Sequence, residues 1–497
     1  MSDVMKSLRK RLGEIADVQA AIALMDWDEQ TVMPPKTAGE RGQQLATLSA
    51  MAHRMTTCSD MGRLLARAER AALSPDDRKL VEVALYDYKR KRRIPAHLIE
   101  TFAQERSHAF QAWVTARKNS DFPLFAPHLD HLLELLRRMA DCLGYNESPY
   151  DAHLEDYERG ITTRPLKTLF TELADHQSRL LRRFAVHGPS AAEPAWIRQI
   201  WDEQKQWDFT LRVLDGMGYD RQAGRQDRSV HPFTTSMGIR DVRITTRLDP
   251  RNPLPALFSS IHECGHALYD QGLSPDDART PLAQGASLGI HESQSRLWEN
   301  MIGRSLPFWR YCLPLFRSFF PGQLDSVSAD DLYRETTRIM PSFIRTDSDE
   351  CTYNLHIILR FELEVELIEG RMAVRDIPEA WNARFKQLLG LDVPDDAHGC
   401  LQDIHWSHGL IGYFPTYALG NLYAAQMFEV IEDELPTLWT DIESGRFMGL
   451  REWLREHVHR HGRRKTALEL MRDITGQEPT PRPFLNYLEK KLGAIAG

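Results

Sequence analysis

Cysteine is scarce in this sequence and shows no pairing. The six cysteines among 497 residues stand at 58, 142, 264, 312, 351 and 400 without a repeated spacing, which fits free thiols in a reducing compartment rather than a disulfide framework. Long apolar runs are also lacking. No stretch approaches the roughly 18 uncharged apolar residues of a membrane-spanning helix. The opening Met1-Ser2-Asp3-Val4-Met5-Lys6-Ser7-Leu8-Arg9-Lys10 has no apolar centre of a secretory signal. A soluble, cytoplasmic protein without a membrane partner is expected. Nor is there an excess of positive charge: 62 Lys and Arg against 70 Asp and Glu leave a formal −8, and the pI is near 6.2, which argues against a general nucleic-acid binder. The main basic run, Lys89-Arg90-Lys91-Arg92-Arg93, reads as a solvated helix end where cations suit the dipole rather than as a patch for nucleic acid or an anionic surface. Repeats, low-complexity segments and long linkers are missing too. A single domain over 1–497 is expected, with 42% hydrophobic residues to build its core.

What the chain has in abundance is amphipathic helix. Helical patterns run through Val18–Met25 to a stop at Met33-Pro34-Pro35, then over Ala38–Met55 and Asp60–Ala72, and from a Ser74-Pro75-Asp76-Asp77 cap to Arg93. Others cover 97–117, 125–143, Pro165–Ala185 and Pro194–Gly216, with a loop at His187-Gly188-Pro189-Ser190. Two β-branched, alternating stretches, Val230–Thr235 and Asp241–Arg247, predict short strands, and their edge is a surface that an extended peptide can join. Further helices are expected over Leu306–Phe320, Ala329–Ile339, Thr352–Glu369 and Pro378–Leu389, and through the tail from Ala418.

The most informative stretch is Ile261-His262-Glu263-Cys264-Gly265-His266-Ala267-Leu268. Asn252 as cap, Pro253 and Pro255 in a first turn and Gly272 past the end predict a helix around it. Leu257, Ile261, Cys264 and Leu268 then form one apolar face. His262 and His266, four apart, share another face, so two imidazoles can reach one metal ion, while Glu263 beside them can take a proton from water. A tetrahedral metal in a hydrolase needs a third protein ligand. Glu292, 26 residues beyond His266 (292 − 266), is the leading candidate, with His291 and Glu299 competing.

Two polar stretches downstream carry open readings. Phe343-Ile344-Arg345-Thr346-Asp347-Ser348-Asp349-Glu350 places an arginine before three acids, as a carboxylate clamp or as an ion-paired helix start. Gly399-Cys400-Leu401-Gln402-Asp403-Ile404-His405-Trp406-Ser407-His408, followed by Tyr413 and Tyr417, offers hydrogen-bond donors to an oxyanion or else packed aromatics. His457, His459 and His461 sit among arginines without a carboxylate, so a second metal site is not expected there.

Taken together, His231-Pro232-Phe233, Asp241-x-Arg243-x-Thr245, His262-Glu263-x-x-His266, His291-Glu292-Ser293 and Gly399-x-x-Gln402-Asp403-x-His405-Trp406 resemble the carboxypeptidase Taq family of zinc metallopeptidases across nearly the whole chain. The family's Ile/Val-Arg-x-x-Ala-Asp pattern appears as Ile344-Arg345-Thr346-Asp347-Ser348-Asp349, with Ser348 in place of the usual Ala. The resemblance implies a mainly helical, bilobed, neurolysin-like fold with a deep groove and a small sheet near the metal. It implies a homodimer that removes single C-terminal residues from peptides with broad specificity. It assigns zinc, with cobalt as a possible substitute, to His262, His266 and Glu292, and general base and acid to Glu263. On that reading His405 and Tyr413 or Tyr417 stabilise the oxyanion. Arg345, then Arg243, is the candidate for the substrate carboxylate, with His231 also on the substrate side. An oligopeptidase with the same metal site and a non-catalytic peptide-binding scaffold are the alternatives.

Overall fold

The computed structural model describes residues 2–185 and 193–496; the expected loop at His187–Ser190 lies outside them. Helices dominate. The N-terminal ones, Asp3–Thr31, Ala38–Thr57, Ser59–Glu69 and Pro75–Arg93, build a core of their own from Met5, Leu8, Leu65, Leu80 and Val83, closed by Leu282. A much larger core runs from Leu98 to Leu492 and takes in both faces of the helices at the centre of the chain. The last turn of Pro75–Arg93 uses its cations internally: Arg90 bonds the Asp156 carboxylate, and Arg93 the Leu143 carbonyl.

Three short strands, β1 (Gly224–Arg228), β2 (Thr234–Gly238) and β3 (Asp241–Thr246), form one sheet in the order β1-β3-β2. β1 runs parallel to β3 and β2 antiparallel to it, so β2 is an edge. Two expectations need correction here. The strand expected over Val230–Thr235 begins only at Thr234, because Val230 is solvent-exposed and Pro232 has no N–H to give to a ladder. β1 was not expected at all: it is polar throughout. Gly224 opens it where an added Cβ would stand 2.1 Å from the Val242 carbonyl oxygen, so the backbones meet closely.

A third correction concerns Pro194–Gly216, which is helical only over Glu203–Met217. Asp202 starts that helix by accepting the Lys205 N–H at 2.8 Å, a cap that ends the irregular stretch before it. The expected helices at Leu306–Phe319, Ala329–Thr337, Tyr353–Ile368 and Ile377–Leu389 are present with small shifts at their ends.

Candidate active site

The helix Leu254–Gly272 carries both histidines of the motif. Pro253, not the expected Asn252, stands at the cap; Asn252, one residue earlier, accepts the Leu254 N–H on Oδ1 at 3.0 Å and turns the chain into the helix. Leu257, Ile261, Cys264 and Leu268 are buried, which fixes the opposite face toward the groove. Gly272 is the last helical residue rather than the one beyond it, and its missing side chain leaves room for the His459 imidazole. Gly265 has a different duty. A Cβ there would lie 2.6 Å from Ser295 Cα and 2.7 Å from the Gln294 carbonyl oxygen, so only glycine lets the next helix, Leu288–Arg296, cross this closely.

That second helix is capped by Ser287, whose hydroxyl accepts the Ile290 N–H at 3.0 Å. Buried Glu158 secures the same end, accepting from the Ser287 hydroxyl, the Gly289 N–H and the Tyr423 hydroxyl at 2.7, 3.0 and 3.0 Å. Burial raises its carboxyl to a pKa of about 7. The helix continues as a π-turn over Leu297–Gly303, a device common at functional sites.

His262, His266 and Glu292 are thereby brought together, with their ligand atoms all within 4.8 Å of one another. Glu292 Oε2 stands 3.3 Å from His266 Nε2 and 3.7 Å from His262 Nε2, close to the edge of about 3.3 Å of a tetrahedron with metal–ligand distances of about 2 Å. The other ring nitrogens are occupied. His262 Nδ1 meets Glu299 Oε2 at 2.9 Å, and His266 Nδ1 meets His291 Nδ1 at 2.6 Å. Glu299 and His291, the competing ligand candidates, are thus supports of the two histidines. Arg296 Nε donates to Glu292 Oε1 at 2.7 Å. Burial would raise the Glu292 carboxyl, but Arg296 and the histidines more than offset it, so it stays ionised. One anionic and two imidazole donors, oriented from behind, fit a divalent metal.

Glu263, nearly buried, receives the Thr234 hydroxyl on Oε2 at 2.6 Å. Thr234 opens the edge strand β2, so the carboxylate is tied to the strand that an extended peptide can join. A cavity of about 850 Å³ is lined by Ser236–Gly238 of this strand, Ile239 just beyond it, and Asp270, Ser287 and His291; it borders the supports of the site rather than His262, Glu263, His266 or Glu292 themselves.

The downstream motifs converge nearby. Arg345 is buried, with Nε and Nη2 donating to Asp403 Oδ1 at 3.0 and 2.9 Å and Nη1 to the Tyr353 hydroxyl at 2.9 Å. Its guanidinium lies 5.1 Å from the Tyr417 ring centre. Tyr353 also stacks under Arg296, 4.3 Å from its ring, so one tyrosine separates Arg345 from the arginine that holds Glu292. His405 Nε2 is 3.4 Å from the Tyr417 hydroxyl, and the Tyr413 and Tyr417 rings are 5.4 Å apart. Burial pushes His405 down to about 3, so it is a neutral imidazole at working pH, and burial raises both tyrosines. All three are therefore protonated donors or neutral partners.

Arg243 and His231 have other company. Arg243 makes a two-pronged bond to Asp241 at 2.8 and 2.9 Å and stacks 4.5 Å over Trp27 of the first helix. His231 is exposed, and its carbonyl accepts the Ser229 hydroxyl. His459 is buried against Gln294 Oε1 at 2.9 Å. Thr234, Arg296, Tyr353, Arg360 and Asp403 received no individual role from the sequence; Asp403 lay inside a motif already singled out, and Thr234 inside an expected strand.

Residues 7–492 match the model of the carboxypeptidase Taq (M32) metallopeptidase family. The chain belongs to that family. Carboxypeptidase 1 of Bacillus subtilis is 39% identical over 97% of each chain, as is thermostable carboxypeptidase 1 of Thermus thermophilus. The M32 carboxypeptidase of Deinococcus radiodurans superposes with a TM-score of 0.97 at 40% identity over 99% of each chain. Metallocarboxypeptidase 1 of Trypanosoma cruzi does so with 0.92 at 31% over 98% of this chain and 99% of that one. This M32 protein is accordingly a metallocarboxypeptidase, a metal-dependent hydrolase of peptides with the mainly helical fold of its family. Among its described residues no helix is long and apolar enough to cross a membrane.

Proposed function

We propose that this carboxypeptidase is a zinc enzyme, able to use cobalt instead, that removes single C-terminal amino acids from peptides with broad specificity. The observation that carries the reading is the donor count on Arg345. A guanidinium has five N–H groups; three are engaged by Asp403 and Tyr353. One N–H on each terminal nitrogen is left, which is the pair a carboxylate needs. With Arg345 as anchor and Arg243 as the second choice, the terminal carboxylate is bound and the last peptide bond is positioned. His231 is proposed on the substrate side as well.

His262, His266 and Glu292 would hold the metal, which when bound supplies Lewis acidity to the scissile carbonyl and acidifies water. Glu263 takes a proton from the attacking water and delivers it to the leaving amine. The Thr234 hydroxyl fixes one of its oxygens and leaves the other for that task. His405, Tyr413 and Tyr417 donate to the oxyanion. We further propose a single domain over 1–497, a homodimer and a cytoplasmic location, for which the scattered free cysteines speak.

The test is mass spectrometry of a mixed-sequence peptide and its amidated twin, incubated with enzyme and zinc or cobalt beside a Glu263→Gln control. A ladder losing one C-terminal residue at a time from the free acid is expected. Internal cuts in both peptides would instead make the protein an oligopeptidase, with the metal site kept and the clamp abandoned.

A further inference from the structure

Arg360 lies on the helix Tyr353–Ile368 and is completely buried. It donates from Nε to Asp403 Oδ2 and from Nη1 to the His356 carbonyl, both at 2.6 Å. Asp403 therefore serves two guanidiniums, with Oδ1 taken by Arg345 and Oδ2 by Arg360. Trp381 and Phe414 pack on Arg360, 4.6 and 5.4 Å from its guanidinium. Glu364, one turn further along, is bound by Trp406, Tyr150 and Gly412 rather than by either arginine. The group Arg345–Asp403–Arg360 thus contains one more positive charge than negative, in surroundings that screen poorly. Glu364 feels the charge of Arg360, but burial raises its carboxyl to about 7, so near neutral pH it offsets the excess only in part.

Burying an unbalanced charge is costly, and packing alone gives no reason for it, since an apolar residue would fill the space beside Trp381 and Phe414. The excess has a use if an anion arrives. A lone Asp403 would neutralise Arg345 and compete with any second carboxylate for it. We propose that Arg360 is a positioning residue that divides the charge of Asp403, so that Arg345 keeps its affinity for the terminal carboxylate of the substrate. This rests on the clamp role of Arg345 and extends it to a residue that does not touch substrate.

The experiment compares a free amino acid product, phenylalanine, with phenylalaninamide as inhibitors of the metal-loaded enzyme, in Arg360→Met, Arg360→Lys, Asp403→Asn and Arg345→Ala. Arg360→Met should weaken phenylalanine by about tenfold and leave phenylalaninamide unchanged, raising KM of free-acid peptides more than it lowers kcat. Arg360→Lys should restore most of the difference. Asp403→Asn should shift phenylalanine toward tighter binding, a gain that misfolding cannot produce, and it carries the test if Arg360→Met does not fold. Equal loss for both inhibitors in Arg360→Met, or weaker phenylalanine binding in Asp403→Asn, would overturn the proposal. If Arg345→Ala itself fails to separate acid from amide, the clamp falls, and this inference with it.

Discussion

His266 and His291 face each other through their Nδ1 atoms at 2.6 Å. Behind them Asp270 Oδ1 stands 3.0 Å from His291 Nε2. A carboxylate only accepts, so His291 carries a proton on Nε2; with His291 neutral, its Nδ1 accepts from His266. His266 then presents the lone pair of Nε2 to the metal position. Glu299 does the same for His262 from the other side and is itself held by Arg304 Nη2 at 2.9 Å.

His291→Ala should therefore lower metal affinity about 10–100-fold, the usual effect of losing the partner that orients a ligating histidine. Competition against a fluorescent chelator measures it directly, without reference to turnover. An unchanged affinity would mean that His266 is oriented by packing alone.

The Glu292 side chain is fixed as tightly by an absence. A Cβ on Gly420, in the helix Pro415–Glu434, would stand 2.6 Å from Glu292 Cγ and 2.7 Å from its Cβ. Gly420→Ala forces that carboxylate aside. The expected result is a loss of about 1–3 kcal/mol in stability together with weaker metal binding. Chemical denaturation with and without metal separates the two, because the stability gained on adding metal should shrink.

The motif helix was legible because three signals agreed: prolines near its start, the apolar face and the His-Glu-x-x-His spacing; the cap was misplaced by one residue. Glu292 was legible only as one of three candidates. The choice depends on the crossing at Gly265, a contact between helices that no local pattern records. Glu299 and His291 carry the right chemistry for ligands, yet they sit one layer back. β1 was invisible for the opposite reason: Arg225, Gln226, Asp227 and Arg228 have poor strand preference, and only pairing with β3 makes them a strand. Arg345 could be read as clamp or helix start, and the structure shows it ion-paired to Asp403, 58 residues away.

Arg345→Ala removes the anchor proposed for the terminal carboxylate. Turnover of free-acid peptides should drop by about 100-fold or more, the scale of a buried charge-assisted pair, whereas amidated peptides should change little. Steady-state kinetics on matched pairs decide it. Equal losses on both would place Arg345 in the framework of Tyr353 and Asp403 only.

Stability should fall on mild acidification, and buried histidines set the window. His459 is held neutral by burial, with its pKa pushed down to about 3, and His153 likewise to about 4. Unfolded, each takes up a proton near pH 6.5. Between that value and the depressed one the unfolded state binds more protons, so stability rises with pH there and is lost as pH falls. The contribution is complete above pH 6.5. His459→Gln can still donate to Gln294 and has nothing to titrate. Its unfolding free energy, followed by denaturant titration of the metal-free protein from pH 7 to pH 5, should decline less steeply than that of the parent, by up to about 1.4 kcal/mol per pH unit for one proton. Parallel slopes would show that His459 titrates alike in both states.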